Sequence, residues 1–171
     1  QGAEFTLALQ EAEYLHGAAP QDNAALALAG DAQWAAGLFD EAEQVYRDVL
    51  VLDPESGRAR HGLAKSFATR NQLDEALDWA EAALEVSPDT AAFHHTLGSI
   101  YRQTHQFPEA ADAYERYVDL LPGRINTEKA NWARAEVRFL RSFGDQPAIQ
   151  LTDPGRLHTI PFRLVRDKVM V

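Results

Sequence analysis

The sequence predicts an all-α fold, a solenoid of stacked helix pairs, because one period runs through most of its 171 residues. Four prolines, Pro20, Pro54, Pro88 and Pro122, follow one another at intervals of 34 residues. Before each of the last three, apolar residues recur at three- and four-residue intervals, which is the spacing of one buried helix face. A single pair cannot bury such a face alone, so neighbouring pairs must stack to complete a core.

Small residues mark the places where the two helices of a pair approach each other closely. They are Gly30, Ala64 and Gly98, each followed twelve residues later by an alanine, namely Ala42, Ala76 and Ala110. Asp53 and Ser87 directly precede Pro54 and Pro88, a pattern typical of a helix N-cap followed by proline at the first helical position. We therefore expect a helix to begin at each of these two prolines.

This pattern resembles the tetratricopeptide repeat family over a stretch from about Phe5 to Phe143. The resemblance implies a right-handed helical solenoid of about three helix-turn-helix repeats, at residues 23–56, 57–90 and 91–124. Three positions depart from the family pattern. Arg60 and His94 replace a large apolar residue at the fourth repeat position, and Ala80 replaces an aromatic residue.

The same register extends to both ends of the chain. Residues 1–22 fit the second helix of a partial repeat. Residues 125–144 fit a first helix, but Trp132 stands where the family has a small residue, so we interpret this segment as a capping helix. Residues 145–171 contain turn-forming residues and then alternate apolar with charged residues, which predicts an irregular, strand-like tail leading towards a further domain.

In the family, the first helix of each pair lines a concave groove that binds partners. Carrying this over position by position gives a groove that is mostly basic, whereas the second helices are mostly acidic. We expect this groove to bind a protein or peptide partner with an acidic segment, with Trp34 as an apolar anchor. Alternatively, the acidic helices only keep the protein soluble and the basic residues are incidental. The candidate binding residues are Trp34, Arg58, His61, Lys65, His95, Arg102 and Lys129.

Composition excludes several classes of function. A formal net charge of −10 argues against general binding to nucleic acid or to anionic membranes, since both require a basic surface. No apolar run reaches the roughly 18 residues needed to span a bilayer. The sequence has no cysteine, which removes disulfides and thiolate chemistry but fits both cytoplasm and periplasm.

The sequence carries no recognisable catalytic motif. There is no glycine-rich phosphate loop and no Gly-x-Ser-x-Gly turn around a nucleophile. His61 and His95 occupy equivalent positions in adjacent repeats, so helix packing separates them by about 10 Å, too far to share one metal ion. We therefore predict no metal site, no cofactor and no catalytic activity for this chain.

The tail supports an alternative. Ile160–Val165 and Lys168–Val171 resemble the first strands of retropepsin-like aspartic proteases, without the catalytic Asp-Thr-Gly of that family. This resemblance implies that the repeats are an accessory domain of a larger enzyme. The apolar side of the N-terminal helix and the strand-like tail are also candidate surfaces for a homodimer.

Overall fold

The structure is a computed structural model that describes residues 22–122 and 127–144, together with Gln10, Tyr14 and Gly17. Within those two ranges the chain forms seven helices and no strand, as the all-α prediction requires. They are α1 (Asn23–Ala35), α2 (Phe39–Leu52), α3 (Gly57–Thr69), α4 (Leu73–Val86), α5 (Ala91–Gln103), α6 (Phe107–Leu120) and α7 (Glu128–Gly144). The predicted N-terminal half-repeat and the tail lie outside these two ranges.

The helices pack in sequential pairs whose arrangement produces a concave side. The pairs are α1 with α2, α3 with α4 and α5 with α6, while α7 packs against α6. The first helices also contact one another, α1 with α3 and α3 with α5, whereas α2, α4 and α6 make no such contacts among themselves. Because only the first helices converge, they form the inner layer of a curved stack.

The starts of α3 and α5 correct one expectation. Asp53 and Ser87 are not N-caps; they follow the last residues of α2 and α4. The prolines after them lie in the turns between pairs, and α3 begins three residues beyond Pro54. Ser56 caps α3 instead, its hydroxyl accepting a hydrogen bond from the backbone N–H of Ala59 at 3.4 Å. Proline therefore shapes the turn rather than the first helical residue.

The two helices of each pair are joined by a turn with a left-handed residue. Gly37, Asn71 and His105 have φ angles of 79°, 60° and 61°, and they recur at the repeat period. This conformation suits glycine, is tolerated by asparagine and is unfavourable for other side chains. The backbone of the turn is thus the same in all three pairs although its residue differs.

The core runs along the stack as three connected clusters. Tyr46 and Tyr114 are among its largest fully buried side chains, and they lie in the first and third clusters. Trp79, whose role the repeat pattern leaves undefined, packs against both the first and the second cluster. It therefore connects two neighbouring helix pairs through the core.

The two polar residues at the fourth repeat position form hydrogen bonds with backbone carbonyl oxygens. The guanidinium of Arg60 donates to the carbonyl oxygens of Ala82 at 2.9 Å and Pro54 at 2.8 Å. His94 Nε2 lies 2.7 Å from the carbonyl oxygen of Pro88. These departures from the family pattern thus replace apolar packing by hydrogen bonds to the preceding turn and, for Arg60, also to the paired helix α4.

None of the helices in the described ranges has both the length and the apolar character that crossing a membrane requires.

Candidate partner-binding groove

Two adjoining hollows form a groove along the inner helices. The larger hollow has a volume of about 720 Å³ and the smaller about 500 Å³. Lys65, His95 and Thr96 line both, so the hollows are continuous. The larger one lies between α5 and α7, whose backbones approach each other less closely than those of α1 and α3 or of α3 and α5. The groove is therefore widest at the α7 end.

Asp31 on α1 organises the narrow end of the groove. Its carboxylate accepts hydrogen bonds from Tyr46 Oη at 2.7 Å, Arg58 Nε at 2.8 Å and Lys65 Nζ at 3.0 Å. Burial favours the protonated acid, but these partners outweigh burial and hold the pKa of Asp31 below its usual range. Asp31 consequently pairs with two residues that the sequence assigns to a basic groove, Arg58 and Lys65, and lowers their combined positive charge from two to one.

Trp34 is held in place by the same network. Lys65 Nζ lies 4.5 Å from the centre of the indole ring, in cation–π geometry. The ring also meets Phe39 edge-on at 5.9 Å and packs against the first core cluster. Trp34 lines the smaller hollow, but part of its ring is covered by Lys65 and the core.

His61 lies at the centre of the groove and is neutral at pH 7. Its Nε2 is 2.8 Å from Thr96 Oγ1, and its ring stacks on Phe93 at 4.6 Å. Burial disfavours the imidazolium, and the neighbouring Lys65 adds to this effect, so the pKa of His61 falls to about 4. His61 thus contributes a polar but uncharged surface.

His95 lies among aromatic rings at the wide end. Its ring centre is 5.9 Å from Tyr114, 5.1 Å from Tyr117 and 5.6 Å from Trp132. Burial lowers the pKa of His95, and the positive charge of Lys129 lowers it further. Trp132 also meets Tyr114 edge-on at 5.4 Å. The wide end therefore has an aromatic wall with an uncharged histidine in it.

The remaining cations differ in whether they are paired. Arg102 Nη1 lies 3.4 Å from a carboxylate oxygen of Glu136 on α7, and both Arg58 and Arg102 lie outside the lining of the two hollows. Lys129 lines the larger hollow and forms no ion pair with any residue in the described ranges. The groove is thus less basic than the sequence predicts. Among the described residues that line it, Lys129 is the cation without an ion pair.

Five of the seven predicted site residues line the groove: Trp34, His61, Lys65, His95 and Lys129. Several other lining residues, among them Thr96, Tyr117 and Trp132, are not among the predicted ones. The repeat pattern marks Trp132 only as a misfit, and its bulk at a small-residue position is the signal that it projects into open space. Among the described residues, no group of three or more His, Asp or Glu side chains is arranged to hold a metal ion.

The acidic outer helices have a structural role of their own. Each carries acidic residues in its first turn, where they interact favourably with the positive end of the helix dipole. These residues are Asp40 and Glu41 on α2, Asp74 and Glu75 on α4, and Glu109 on α6. The contrast in charge between the two layers therefore reflects helix stability as well as the character of the groove.

Comparison with protein families gives a match along most of the chain. The profile of the tetratricopeptide repeat family matches residues 2–57, 27–89 and 61–125. A comparison with curated protein sequences gives no significant match.

Solved structures share the fold at low sequence identity. The Yersinia enterocolitica type III secretion chaperone SycD in complex with a peptide of the translocator YopD has a TM-score of 0.62 and 16% identity, over 70% of this chain and 92% of that chain. PcrH in complex with the chaperone binding region of PopD has a TM-score of 0.62 and 19% identity, over 70% of this chain and 91% of that one. An alternative dimer of SycD has a TM-score of 0.64 and 16% identity, over 72% and 95%.

Proposed function

Since the chain belongs to the tetratricopeptide repeat family, we propose that it is a non-catalytic interaction module that holds a segment of a partner protein in its inner groove. The observation that carries this proposal is the continuous groove along α1, α3, α5 and α7. It combines aromatic rings with a few polar groups, the composition of a site that binds by burial and orients its ligand by hydrogen bonds. Burial keeps its two histidines neutral, and the partly buried carboxylate of Asp31 beside it is paired.

Two related folds support the idea of a peptide ligand. SycD forms a complex with a peptide of YopD, and PcrH forms one with the chaperone binding region of PopD. In these complexes, proteins with a similar helical stack hold segments of other proteins. At 16% and 19% identity the likeness is one of fold. The partner of this chain must therefore be argued from the charges and side chains of the groove itself.

We propose that the partner segment is acidic and that the seven sequence-predicted residues form its binding surface. Lys129 supplies a positive charge without an ion pair among the described residues, and Arg58 and Arg102 flank the groove with partly exposed guanidinium groups. Asp31 weakens the contribution of Lys65, since the two side chains already form an ion pair. The preference for acidic segments is thus expected to be moderate and dependent on salt concentration.

The test is binding of synthetic peptides that differ mainly in charge. Fluorescent peptides of about nine residues, long enough to extend for roughly 30 Å along the groove, would range from strongly acidic to strongly basic. Anisotropy titrations would compare the wild-type chain with Lys129→Glu in the groove and with Arg116→Glu on α6 as a matched reversal outside it. We expect acidic peptides to bind best. Lys129→Glu should weaken their binding by about fivefold or more, whereas Arg116→Glu should not.

Three other results would change the proposal. Selective binding of neutral or basic peptides would contradict an acidic partner but keep the groove as the binding surface. An equal loss of peptide affinity in Lys129→Glu and Arg116→Glu would mean that the peptides bind outside the groove. Absence of binding by every peptide would contradict the groove as a binding surface.

The protease-accessory alternative and a homodimer through the N-terminal helix or the tail depend on residues outside the described ranges, and both stay predictions.

A further inference from the structure

The larger hollow contains an apolar pocket of which the charge argument uses only Lys129. We call it the Trp132 pocket and define it by His95, Tyr117, Leu121, Lys129 and Trp132. The volume of the hollow, about 720 Å³, lies within the range of cavities that take small molecules or large side chains. It faces the concave side of the stack, where a bound segment would pass.

The residue that builds this pocket differs from its counterparts in the other inner helices. In α1 and α5 the equivalent residues are Gly30 and Gly98, which are covered by the rings of Tyr46 and Tyr114. A Cβ at Gly98 would lie 2.9 Å from the ring of Tyr114. In α7 the indole of Trp132 occupies this position and leans on Tyr114, yet it stays 44% exposed. A large apolar surface is thus left uncovered inside a concavity.

The charges around the pocket favour an uncharged interior with a cation at its edge. Burial keeps His61 and His95 neutral at pH 7, since it lowers the pKa of both. Lys65 is already bound to Asp31. Lys129 and Glu128 line the same hollow without forming an ion pair with each other, so the Lys129 ammonium remains available to a ligand.

We infer that the Trp132 pocket binds one large apolar side chain of the partner segment, aromatic or long aliphatic, while Lys129 binds a carboxylate on a neighbouring residue of that segment. This inference rests on the proposed function and adds the chemistry of the segment to it. An aromatic ring entering the pocket would stack against Trp132 and Tyr117 and exclude water from both. Trp132 would then be the main apolar anchor, in place of the partly covered Trp34.

Three peptide probes of equal length separate these contributions. The first has a phenylalanine between two glutamates, the second an alanine between two glutamates, and the third a phenylalanine between two lysines. We expect the first to bind about tenfold more tightly than the second. The Trp132→Ala variant should remove this difference, lowering affinity for the phenylalanine probe while leaving the alanine probe unchanged. Phe139→Ala is the matched control, because Phe139 is a more exposed aromatic of α7 outside the groove lining.

The charge at the edge is tested in the same way. Lys129→Gln should weaken the glutamate-flanked phenylalanine probe about two- to fivefold and leave the lysine-flanked probe unaffected or slightly tighter. Arg138→Gln on the same helix serves as the control, since Arg138 lines a different hollow. If the lysine-flanked probe binds the wild-type chain as tightly as the glutamate-flanked one, the proposal that Lys129 binds a carboxylate is wrong.

A spectroscopic measurement on the chain with Trp132 in place tests the inference even if the Trp132→Ala variant does not fold. The chain has three tryptophans, so incorporation of 5-fluorotryptophan gives three ¹⁹F resonances that single Trp→Phe variants assign. The phenylalanine probe should shift the Trp132 resonance more than those of Trp34 and Trp79. A shift confined to Trp34 would overturn the inference and keep groove binding. Equal affinity of the wild-type chain for the phenylalanine and alanine probes would also overturn the inference while keeping groove binding. Failure of all three probes to bind would contradict both the inference and the proposed function.

Discussion

Tyr46 and Gly62 belong to neighbouring helix pairs and are in such close contact that a Cβ on Gly62 would lie 2.3 Å from the ring of Tyr46. The ring also covers Gly30 of its own pair, where a Cβ would lie 2.7 Å away. Tyr46 is 0% exposed, so it has no free space into which to move. One aromatic ring therefore fixes the distance between two adjacent repeats.

We predict that Gly62→Ala destabilises the protein by about 1–3 kcal/mol in the free energy of unfolding, because overpacking outweighs the gain of up to about 1 kcal/mol in helix propensity. Urea denaturation measures this change. Gly57→Ala is the control, since a Cβ there would meet its nearest neighbours at 3.2 and 3.3 Å, and we expect it to change stability by less than about 1 kcal/mol. The cost of Gly62→Ala should fall in a Tyr46→Leu background; an unchanged cost would show that the ring is not the cause.

The second prediction concerns Asp31, which accepts hydrogen bonds from Tyr46, Arg58 and Lys65. Asp31→Asn should cost about 1–3 kcal/mol, mostly because partly buried donors lose a charged acceptor. The ion pair with Arg58 contributes little of this, since the Arg58 side chain is 47% exposed. Glu55→Gln, which removes the exposed partner of Arg60, should cost less than about 0.5 kcal/mol. If urea denaturation finds the two variants equally stable, the Asp31 network does not support the fold.

The repeat pattern predicts the helices well because one period repeats the same packing. It correctly identifies Gly30 and Gly98 as points of close approach, since a glycine that recurs at one position of a helical repeat indicates tight contact with the partner helix. It does not identify Gly62, because the contact at Gly62 comes from the tyrosine of the preceding pair rather than from its own. Contacts between pairs depend on how the stack curves, and no local spacing records that curvature.

The candidate site is predicted in part for a related reason. Position in the repeat identifies Lys65 and Lys129 equally as inner residues, but only the structure distinguishes a lysine bound to Asp31 from one without an ion pair among the described residues. In the sequence, Asp31 is a single opposing charge rather than the centre of a network. Asp31 and its partners lie on three different helices, so their convergence follows from tertiary packing.

The third prediction uses the left-handed turns between paired helices. His105 has a φ of 61°, a conformation that costs a non-glycine residue roughly 1 kcal/mol. His105→Gly should therefore stabilise the protein by up to about 1 kcal/mol, reduced by the loss of its edge-on contact with Phe107 at 5.7 Å. Gly37→Ala, at the equivalent turn of the first pair, should have the opposite effect and destabilise the protein. Thermal unfolding of both variants gives the comparison, and destabilisation by His105→Gly would show that the ring contact outweighs the strain.

The last prediction is a loss of stability in mild acid that originates at His61. The histidine titrates near pH 6.5 in the unfolded chain and at about 4 in the folded one, because burial disfavours its charged form. Between these values the unfolded state binds more protons, so stability falls as pH decreases from about 6.5 to 4 and this contribution levels off below 4. The loss from His61 is on the order of 3 kcal/mol.

The comparison of wild type with His61→Gln isolates this contribution. Asp31, Lys65, Arg58 and His95 all face His61 electrostatically, and the pKa of His95 is lowered as well, so the wild-type profile contains more than one titration. Glutamine removes the titration at residue 61 and leaves the others in place. The difference between the two unfolding free energies, measured in urea at closely spaced pH values, should therefore change through the pH 6.5–4 window and become flat only well above pH 6.5. A difference that stays constant across the window would mean that His61 is not the group whose protonation destabilises the fold.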